Sequence, residues 1–178
     1  MKYCSQCGES VSLRIPDGDR LERYICDSCN TIHYQNPRII TGTIPVRHGK
    51  ILLCKRAIEP KYGLWTLPAG FMENDETTIE GAVRETHEET MADVTIDHLF
   101  AIFNIPHINQ VYIMFRATLN NDDFAPTEES LDVRLFEEHE IPWDELAFPV
   151  IHNTLEYYFR DNASGNFITH ISDIHQVR

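Results

Sequence analysis

The stretch GFMENDETTIEGAVRETHEETMA (residues 70–92) decides the fold of this protein. Seven of its 23 residues are acidic, whereas Arg84 is its one permanent cation. On a helix Glu85, Glu88 and Glu89 are related as i, i+3 and i+4 and share one face. Like charges at this spacing destabilise a helix by about 0.2–0.5 kcal/mol per pair. Three carboxylates on one face suit a hard cation such as Mg²⁺ or Mn²⁺, and a solvated acidic surface is the alternative.

The helix that carries these acids is predicted over residues 77–90. Thr77 and Glu80 form a T-x-x-E capping box, which indicates a helix start. Apolar, partly β-branched runs predict strands or extended segments at residues 39–46, 50–56, 64–72, 98–105, 110–119 and 132–141. A second helix is expected over residues 146–162, where apolar residues recur at helical spacing. Strands interleaved with two helices predict an α+β or α/β sandwich.

Charge and composition limit the classes of partner. The formal net charge of -13 disfavours general binding to nucleic acid. A small phosphorylated substrate remains compatible with this charge if a bound cation reverses the local sign. No run of about 18 apolar residues predicts a transmembrane helix, and the first residues lack a secretory h-region. We therefore expect a cytoplasmic protein with neither a membrane nor a nucleic-acid partner.

Four of the five cysteines lie in the first 30 residues: Cys4, Cys7, Cys26 and Cys29. Their C-x2-C-x18-C-x2-C pattern predicts two knuckles around a structural zinc ion, with no position left open for catalysis. A redox pair, disulfides, or replacement of one thiolate by His33 are the alternatives. Cys54 lies in an apolar strand and is expected to be a buried core residue.

The order of charges in residues 70–92 resembles the box of the Nudix hydrolases, G-x5-E-x7-R-E-U-x-E-E-x-G-U, where U is a bulky aliphatic residue. The sequence matches six of the seven fixed positions: Gly70, Glu76, Arg84, Glu85, Glu88 and Glu89. Met91 replaces the last glycine, which places the end of the helix in question. Thr86 replaces the first aliphatic residue, which affects packing.

The resemblance covers about residues 3–160 and includes the cysteine-rich start. The chain resembles bacterial NADH pyrophosphatases less, because their SQPWPFPxS signature is missing. Through YQNPR (34–38), GLWTLPAGFME (63–73) and FAPTEESLDVRLF (124–136), it is more similar to the zinc-ribbon Nudix proteins that include plant chloroplast FAD pyrophosphatases. The resemblance implies a ribbon at residues 1–34, a linker at 35–38, a Nudix α/β/α sandwich with a mixed sheet at 39–165, and a tail at 166–178. It also implies a homodimer.

The activity that the resemblance implies is metal-dependent hydrolysis of the diphosphate bond of a nucleoside diphosphate derivative. FAD, giving FMN and AMP, is the first candidate, followed by ADP-ribose and NADH. The implied ligands of Mg²⁺ or Mn²⁺ are Glu85, Glu88, Glu89 and the backbone carbonyl of Gly70, with Arg84 and Glu76 orienting the cluster. A Nudix-fold sensor that binds a nucleotide without cleaving it, and an mRNA-decapping enzyme, are the alternatives.

Two further roles are open in the sequence. The general base is Glu85 or Glu88, acting through a metal-bound water, or Glu129 on a later loop. The expected substrate-binding residues are Phe71, Phe103, His107, Tyr112 and Arg56. Against these assignments, most aromatic residues in strands are core residues, and most loop acids and surface arginines carry no such role.

Overall fold

The computed structural model describes residues 1–175 and divides the chain into two units, Met1–Asn36 and Pro37–Arg178. The boundary lies inside the predicted linker 35–38. The first strand of the second unit begins at Arg38, the last residue of that predicted linker. The linker 35–38 therefore stays a prediction, and the junction between the two units, at Asn36 and Pro37, falls within it.

The first unit is a small three-stranded antiparallel sheet in the order β1-β2-β3. Its strands are β1 (Val11–Arg14), β2 (Arg23–Cys26) and β3 (Ile32–His33). Its buried apolar residues are Cys4, Ile25 and Cys26. A unit of this size with so small a core needs a cross-link such as a metal to fold stably.

The second unit is built around a mixed sheet of eight strands. Its elements are β4 (Arg38–Arg47), β5 (Lys50–Arg56), β6 (Trp65–Thr66), β7 (Ala69–Phe71), α1 (Thr78–Thr90), β8 (Val94–Ile105), β9 (Gln110–Leu119), β10 (Ser130–Phe136), α2 (Pro149–Ser164) and β11 (His170–Asp173). The main path is β10-β5-β4-β9-β8-β11, with β6 paired to β5 and β7 paired to β4. The β4–β9 and β8–β11 pairs are parallel, and the other pairs are antiparallel.

The two helices cover opposite faces of this sheet, as the alternation along β5 shows. Leu53 packs in the cluster that contains Leu155 of α2. Its neighbour Leu52 packs in a second cluster that includes Val83 of α1. Successive strand residues point to opposite faces, so α1 and α2 sandwich the sheet. The structure confirms the predicted α/β/α sandwich with a mixed sheet.

The sheet opens between β4 and β5. These strands pair directly only at Val46–Ile51 and Arg47–Lys50. Beyond that point β7 pairs with β4 and β6 pairs with β5. The chain between residues 65 and 71 therefore lines a split in the sheet, and helix α1 packs against β4 and β7 beside it.

Both helices end as their capping residues dictate. Thr77 is the N-cap of α1, and the capping box with Glu80 is present, so the helix begins at Thr78. Met91 closes α1 with a left-handed φ of 58° and donates its N–H to the His87 carbonyl. A non-glycine residue therefore caps this helix, at a conformational cost of about 1–2 kcal/mol. Helix α2 begins with Pro149 in its first turn and ends before Gly165, later than the predicted span 146–162.

The predicted tail 166–178 is corrected, because part of it belongs to the sheet. Strand β11 pairs in parallel with β8 in the register His170–Ala101 to Asp173–Asn104. Residues 176–178 of that predicted tail lie outside the described residues. The strand predicted over 132–141 is also shorter, because β10 ends at Phe136 and a 3-10 turn follows at Glu138–Glu140. Within residues 1–175, no helix is long and apolar enough to cross a membrane.

Candidate active site

The four ribbon cysteines converge on one point. One ligand atom from each of Cys4, Cys7, Cys26 and Cys29 lies within 4.8 Å of all the others. The sulfurs of Cys7 and Cys26 are 3.5 Å apart, far beyond the disulfide bond length of about 2.05 Å, and all the cysteines are free. Four converging thiols are the donor set of a structural Zn²⁺ site.

Neighbouring residues support these thiols without replacing them. Nε2 of His33 lies 3.3 Å from Sγ of Cys4, beside the ligand set and not in place of one thiol. Hydrogen bonds from the side chain and backbone of Thr31 lower the pKa of the Cys29 thiol to about 6. For Cys29, the thiolate form that binds zinc is thus favoured at neutral pH.

In the second unit, Arg84 organises the acidic helix face. Its guanidinium donates to both oxygens of Glu76, at 2.9 and 2.8 Å. It also donates to Glu85 and Glu88, each at 2.8 Å, and to the Phe71 carbonyl at 3.2 Å. The hydrogen bonds from Arg84 lower the pKa of Glu76 to about 2. The one cation of residues 70–92 therefore orients three of its carboxylates at once.

Glu89 is the buried member of the cluster, at 5% relative exposure. Its Oε2 accepts the backbone N–H of Ala69 at 3.1 Å and the S–H of Cys54 at 3.5 Å. Burial raises the pKa of Glu89 to about 8. Burial destabilises the charged form of this carboxyl, and a cation bound beside it would offset that effect. Glu89 is therefore suited to be a metal ligand. Cys54 is buried as predicted, but no pattern in the sequence indicates its contact with Glu89.

Gly70 allows the backbone of β7 to approach the helix. A Cβ atom at residue 70 would overlap the carboxylate of Glu85. The position therefore requires glycine for close approach, whereas its φ lies outside the left-handed region. The predicted role of the Gly70 carbonyl as a metal ligand stays a prediction, and this close approach is compatible with it.

A cavity of about 760 Å³ lies beside β7 and is lined by Glu85, Glu88, Glu89 and Glu129. Burial raises the pKa of Glu85, and the charges of Glu88 and Glu129 add to the effect. The structure therefore brings the predicted loop acid and the box acids to one site. Within residues 1–175, the four cysteines are the only group of three or more His, Cys, Asp or Glu side chains whose ligand atoms converge closely enough to hold a metal ion.

Four of the five predicted substrate-binding residues line the same cavity: Phe71, His107, Tyr112 and Arg56. Phe103 does not, and that prediction was wrong. Its side chain is fully buried in the core and stacks on Tyr157 with ring centroids 6.0 Å apart. The side chains of β8 alternate between the two faces of the sheet, and Phe103 lies on the face that α2 covers. Strand periodicity alone does not reveal which face that is.

Arg56 is a cation at 9% relative exposure. Its Nε donates to the Pro60 carbonyl at 2.9 Å, and its guanidinium lies 5.2 Å from the centroid of the Phe148 ring. No carboxylate in the described part of the chain forms a salt bridge with it. Sequence reasoning missed Arg38, which also lines the cavity and lies over the Phe71 ring at 4.8 Å. Arg38 lies on the same face of β4 as Ile40, which also lines the cavity, but the sequence RIIT (38–41) has no alternation that would have indicated it.

Comparison with known families identifies the class. The profile of the NUDIX domain matches residues 37–158, and the Nudix N-terminal zinc-ribbon profile matches residues 2–35. The first match covers more than half of the chain, and the box acids and their cavity lie inside it. The chain belongs to the Nudix family, which confirms the predicted resemblance.

Individual relatives match different shares of the chain. The chain is 57% identical to a NUDIX hydrolase from Nitrosomonas europaea, whose crystal structure superposes with a TM-score of 0.96 and covers 99% of this chain and 100% of that chain. It is 28% identical over 160 residues to the NAD-capped RNA hydrolase NudC of Chromobacterium violaceum, covering 88% of this chain and 57% of that protein. An ADP-ribose pyrophosphatase of Methanocaldococcus jannaschii is 29% identical over 121 residues, or 65% of this chain and 69% of that protein. The chain thus spans a little over half of the Chromobacterium protein.

Proposed function

We propose that this protein hydrolyses the diphosphate bond of a nucleoside diphosphate derivative. The observation that carries the proposal is the convergence of Glu85, Glu88, Glu89 and Glu129 on one cavity of about 760 Å³. Its volume lies within the usual range of about 300–1,000 Å³ for small-molecule sites. The relatives named as a hydrolase and a pyrophosphatase support the same chemistry.

Nudix enzymes use a divalent metal. We assign Mg²⁺ or Mn²⁺ to Glu85, Glu88, Glu89 and the Gly70 carbonyl, because hard cations prefer oxygen ligands. A cation held there would neutralise diphosphate oxygens and would lower the pKa of a water bound to it. Arg84 holds Glu85 and Glu88 toward the cavity, while Ala69 and Cys54 hold Glu89.

Hydrolysis needs a group that takes the proton of the attacking water. We assign this role to Glu129, with Glu85 and Glu88 as the alternatives. The water oxygen forms a bond to one phosphorus, its proton passes to the carboxylate, and the bond to the bridging oxygen breaks. The leaving phosphate keeps that electron pair. Glu129 is supported by its place in the cavity and by its influence on the pKa of Glu85.

Arg56 is the cation that we assign to a substrate phosphate. Its side chain is buried, lines the cavity and lacks a carboxylate partner within the described residues. A buried guanidinium whose charge is not neutralised by protein is suited to binding an anionic oxygen. Phe71, His107 and Tyr112 would contact the organic parts of the substrate.

FAD is the first substrate that we propose, with ADP-ribose and NADH next. An ADP-ribose pyrophosphatase and a NAD-capped RNA hydrolase among the relatives support a dinucleotide-type diphosphate. Capped RNA is a second candidate, because the similar Chromobacterium protein is a hydrolase of NAD-capped RNA by name. The net charge of -13 weighs against a polyanion.

A homodimer in the cytoplasm completes the proposal. Four converging free thiols fit a reducing compartment, where zinc and not a disulfide joins them. The homodimer rests on the family resemblance. Sedimentation analysis of the zinc-loaded protein tests it, and a monomer at micromolar concentration would contradict it.

Product analysis tests the activity. The purified protein is incubated with FAD, NADH, NAD, ADP-ribose and NAD-capped RNA, each with Mg²⁺, with Mn²⁺ and without divalent metal. We expect metal-dependent release of AMP and FMN from FAD, lost in Glu88→Gln. Glu129→Gln should lower turnover by about 10²–10⁴-fold, as for removal of a general base. Glu128→Gln, which changes a neighbouring acid that does not line the cavity, should leave turnover unchanged. Binding without any cleavage would support the sensor alternative instead.

A further inference from the structure

The segment that follows β11 forms part of the cavity wall. Ile174 lines the cavity together with Ile105, at the end of β8, and Ile108, in the 3-10 turn after it. The three side chains are aliphatic and offer no hydrogen-bonding group. They form a wall, here called the isoleucine wall, that differs in chemistry from the acidic side of the cavity.

The order of the strands places the isoleucine wall away from Arg56, which is proposed to bind a phosphate of the substrate. Strand β5, which ends at Arg56, is separated from β11 by β4, β9 and β8. In the sheet, Ile105 at the end of β8 pairs with Gln110 at the start of β9, and Asp173 at the end of β11 pairs with Asn104 of β8. The ends of β8 and β11 therefore lie beside the start of β9. A substrate whose diphosphate lies near Arg56 and the box would extend along these strand ends toward Ile174.

Several contacts hold Ile174 in place. Its N–H donates to the Asn104 carbonyl at 2.8 Å, and the Asn104 amide donates to Asp173 at 2.9 Å. Upstream, Nε2 of His170 lies 2.7 Å from Oδ2 of Asp161 on α2. Both residues of this pair are buried. Strand β11 is therefore tied to β8 along one side and to α2 at its start.

We propose that β11 is a substrate-selectivity element, in which Ile174 contacts the group linked to the distal phosphate and the His170–Asp161 pair positions Ile174. This inference rests on the proposed function, because it takes the box to hold the diphosphate. The isoleucine wall favours an aromatic heterocycle, as in FAD or NADH, over the terminal ribose of ADP-ribose. FAD and NADH carry such a ring beyond the sugar or ribityl group and can bury it against these aliphatic side chains, whereas ADP-ribose ends at the ribose and has no apolar ring to bury there.

The test compares two isoleucines of one segment. Ile174→Ala removes part of the isoleucine wall, whereas Ile171→Ala changes a side chain that is 72% exposed and does not line the cavity. We expect Ile174→Ala to lower kcat/KM for FAD and NADH about tenfold through KM, since missing methylenes in an apolar pocket change discrimination by about 10- to 200-fold. ADP-ribose should change less than about twofold. Ile171→Ala should match the wild type with every substrate.

The positioning role of the pair has a separate readout. His170→Phe keeps a ring against Phe100 and Tyr157 but loses the bond to Asp161. His170→Phe should shift the ratio of kcat/KM for FAD to kcat/KM for ADP-ribose in the same direction as Ile174→Ala does. In the double variant, the shift should be little larger than in Ile174→Ala alone. A purely structural role would lower the melting temperature and leave that ratio unchanged.

Binding measurements separate this inference from the proposed function. Kd values for FAD and ADP-ribose are measured with Mg²⁺ in the Glu88→Gln background, with and without Ile174→Ala. If the wild type cleaves nothing, the hydrolase proposal fails, but a selective weakening of FAD binding would still support the isoleucine wall. The inference about the isoleucine wall would be overturned if Ile174→Ala changed the Kd values of both ligands by the same factor, or if neither ligand bound.

Discussion

Gly70 of β7 and Glu85 of α1 approach so closely that a methyl group at residue 70 would overlap the Glu85 carboxylate. Gly70→Ala should therefore displace Glu85 from its bond with Arg84 and from the cavity. We expect a loss of kcat of about 10²-fold or more, as for a misplacement of about 1 Å in a catalytic constellation. Steady-state kinetics with the preferred substrate measure it.

The control for this prediction is Gly49→Ala. Gly49 lies in the turn between β4 and β5 with a φ of 78°, and a Cβ there meets nothing within 4 Å. An alanine should cost about 1 kcal/mol of stability through its backbone conformation and leave turnover unchanged. Wild-type turnover in Gly70→Ala would show that the carboxylate relocates freely.

The substitution of Thr86 for an aliphatic residue of the box is compensated by Thr43. Their hydroxyl oxygens are 2.6 Å apart and both side chains are fully buried. Thr86 donates to the Ala82 carbonyl at 2.7 Å, so the Thr43 hydroxyl is the donor between the two. Thr86→Val should cost about 1–3 kcal/mol, because it leaves a buried donor unsatisfied.

A double-mutant cycle makes this prediction specific. Thr43→Val removes the donor and leaves Thr86 bonded to Ala82, so it should cost less than Thr86→Val. The double variant should be about as stable as Thr43→Val alone, with a coupling energy of about 0.5–3 kcal/mol. Urea unfolding measures all four proteins, and strict additivity would contradict the hydroxyl pair.

The zinc site predicts a sharp contrast between cysteines. Cys4→Ser should abolish the single zinc ion per chain, because it removes one of four converging thiols. Cys54→Ser should keep that zinc, because Cys54 lies in the other unit and contacts Glu89. Atomic emission of the purified proteins measures the metal content. Zinc retained in Cys4→Ser would point to His33 as a replacement ligand.

The Asp161–His170 pair predicts a dependence of stability on pH. Burial opposes ionisation of Asp161, but hydrogen bonds from His170 and the Ile168 N–H prevail and lower its pKa below 3.8. The unfolded chain then binds a proton more readily than the folded chain. This contribution is present above about pH 4 and is lost as the pH falls through the folded pKa.

The comparison of Asp161→Asn with the wild type tests the sign. Asp161→Asn should lower the free energy of unfolding at pH 7 and reduce its fall between pH 5 and pH 3. Urea unfolding at several pH values isolates the contribution of this residue from those of the other acids. Parallel curves for the two proteins would exclude a role for Asp161.

Features set by neighbours in the chain were predictable from the residues themselves. The Thr77–Glu80 box starts a helix through bonds within one turn, and helical periodicity places Glu85, Glu88 and Glu89 on one face. The two cysteine knuckles likewise follow from spacing. These interactions span few residues, so their geometry follows from the local backbone.

Contacts between distant segments were not accessible in this way. The burial of Phe103, the bond of Cys54 to Glu89 and the pairing of β11 with β8 join residues that are dozens of positions apart. Which face of a strand meets which helix depends on how all the strands order in the sheet, and spacing within one strand carries no record of that order. The residues proposed as metal ligands could therefore be named before the fold was known, whereas the walls of the cavity depend on how the strands assemble into the sheet.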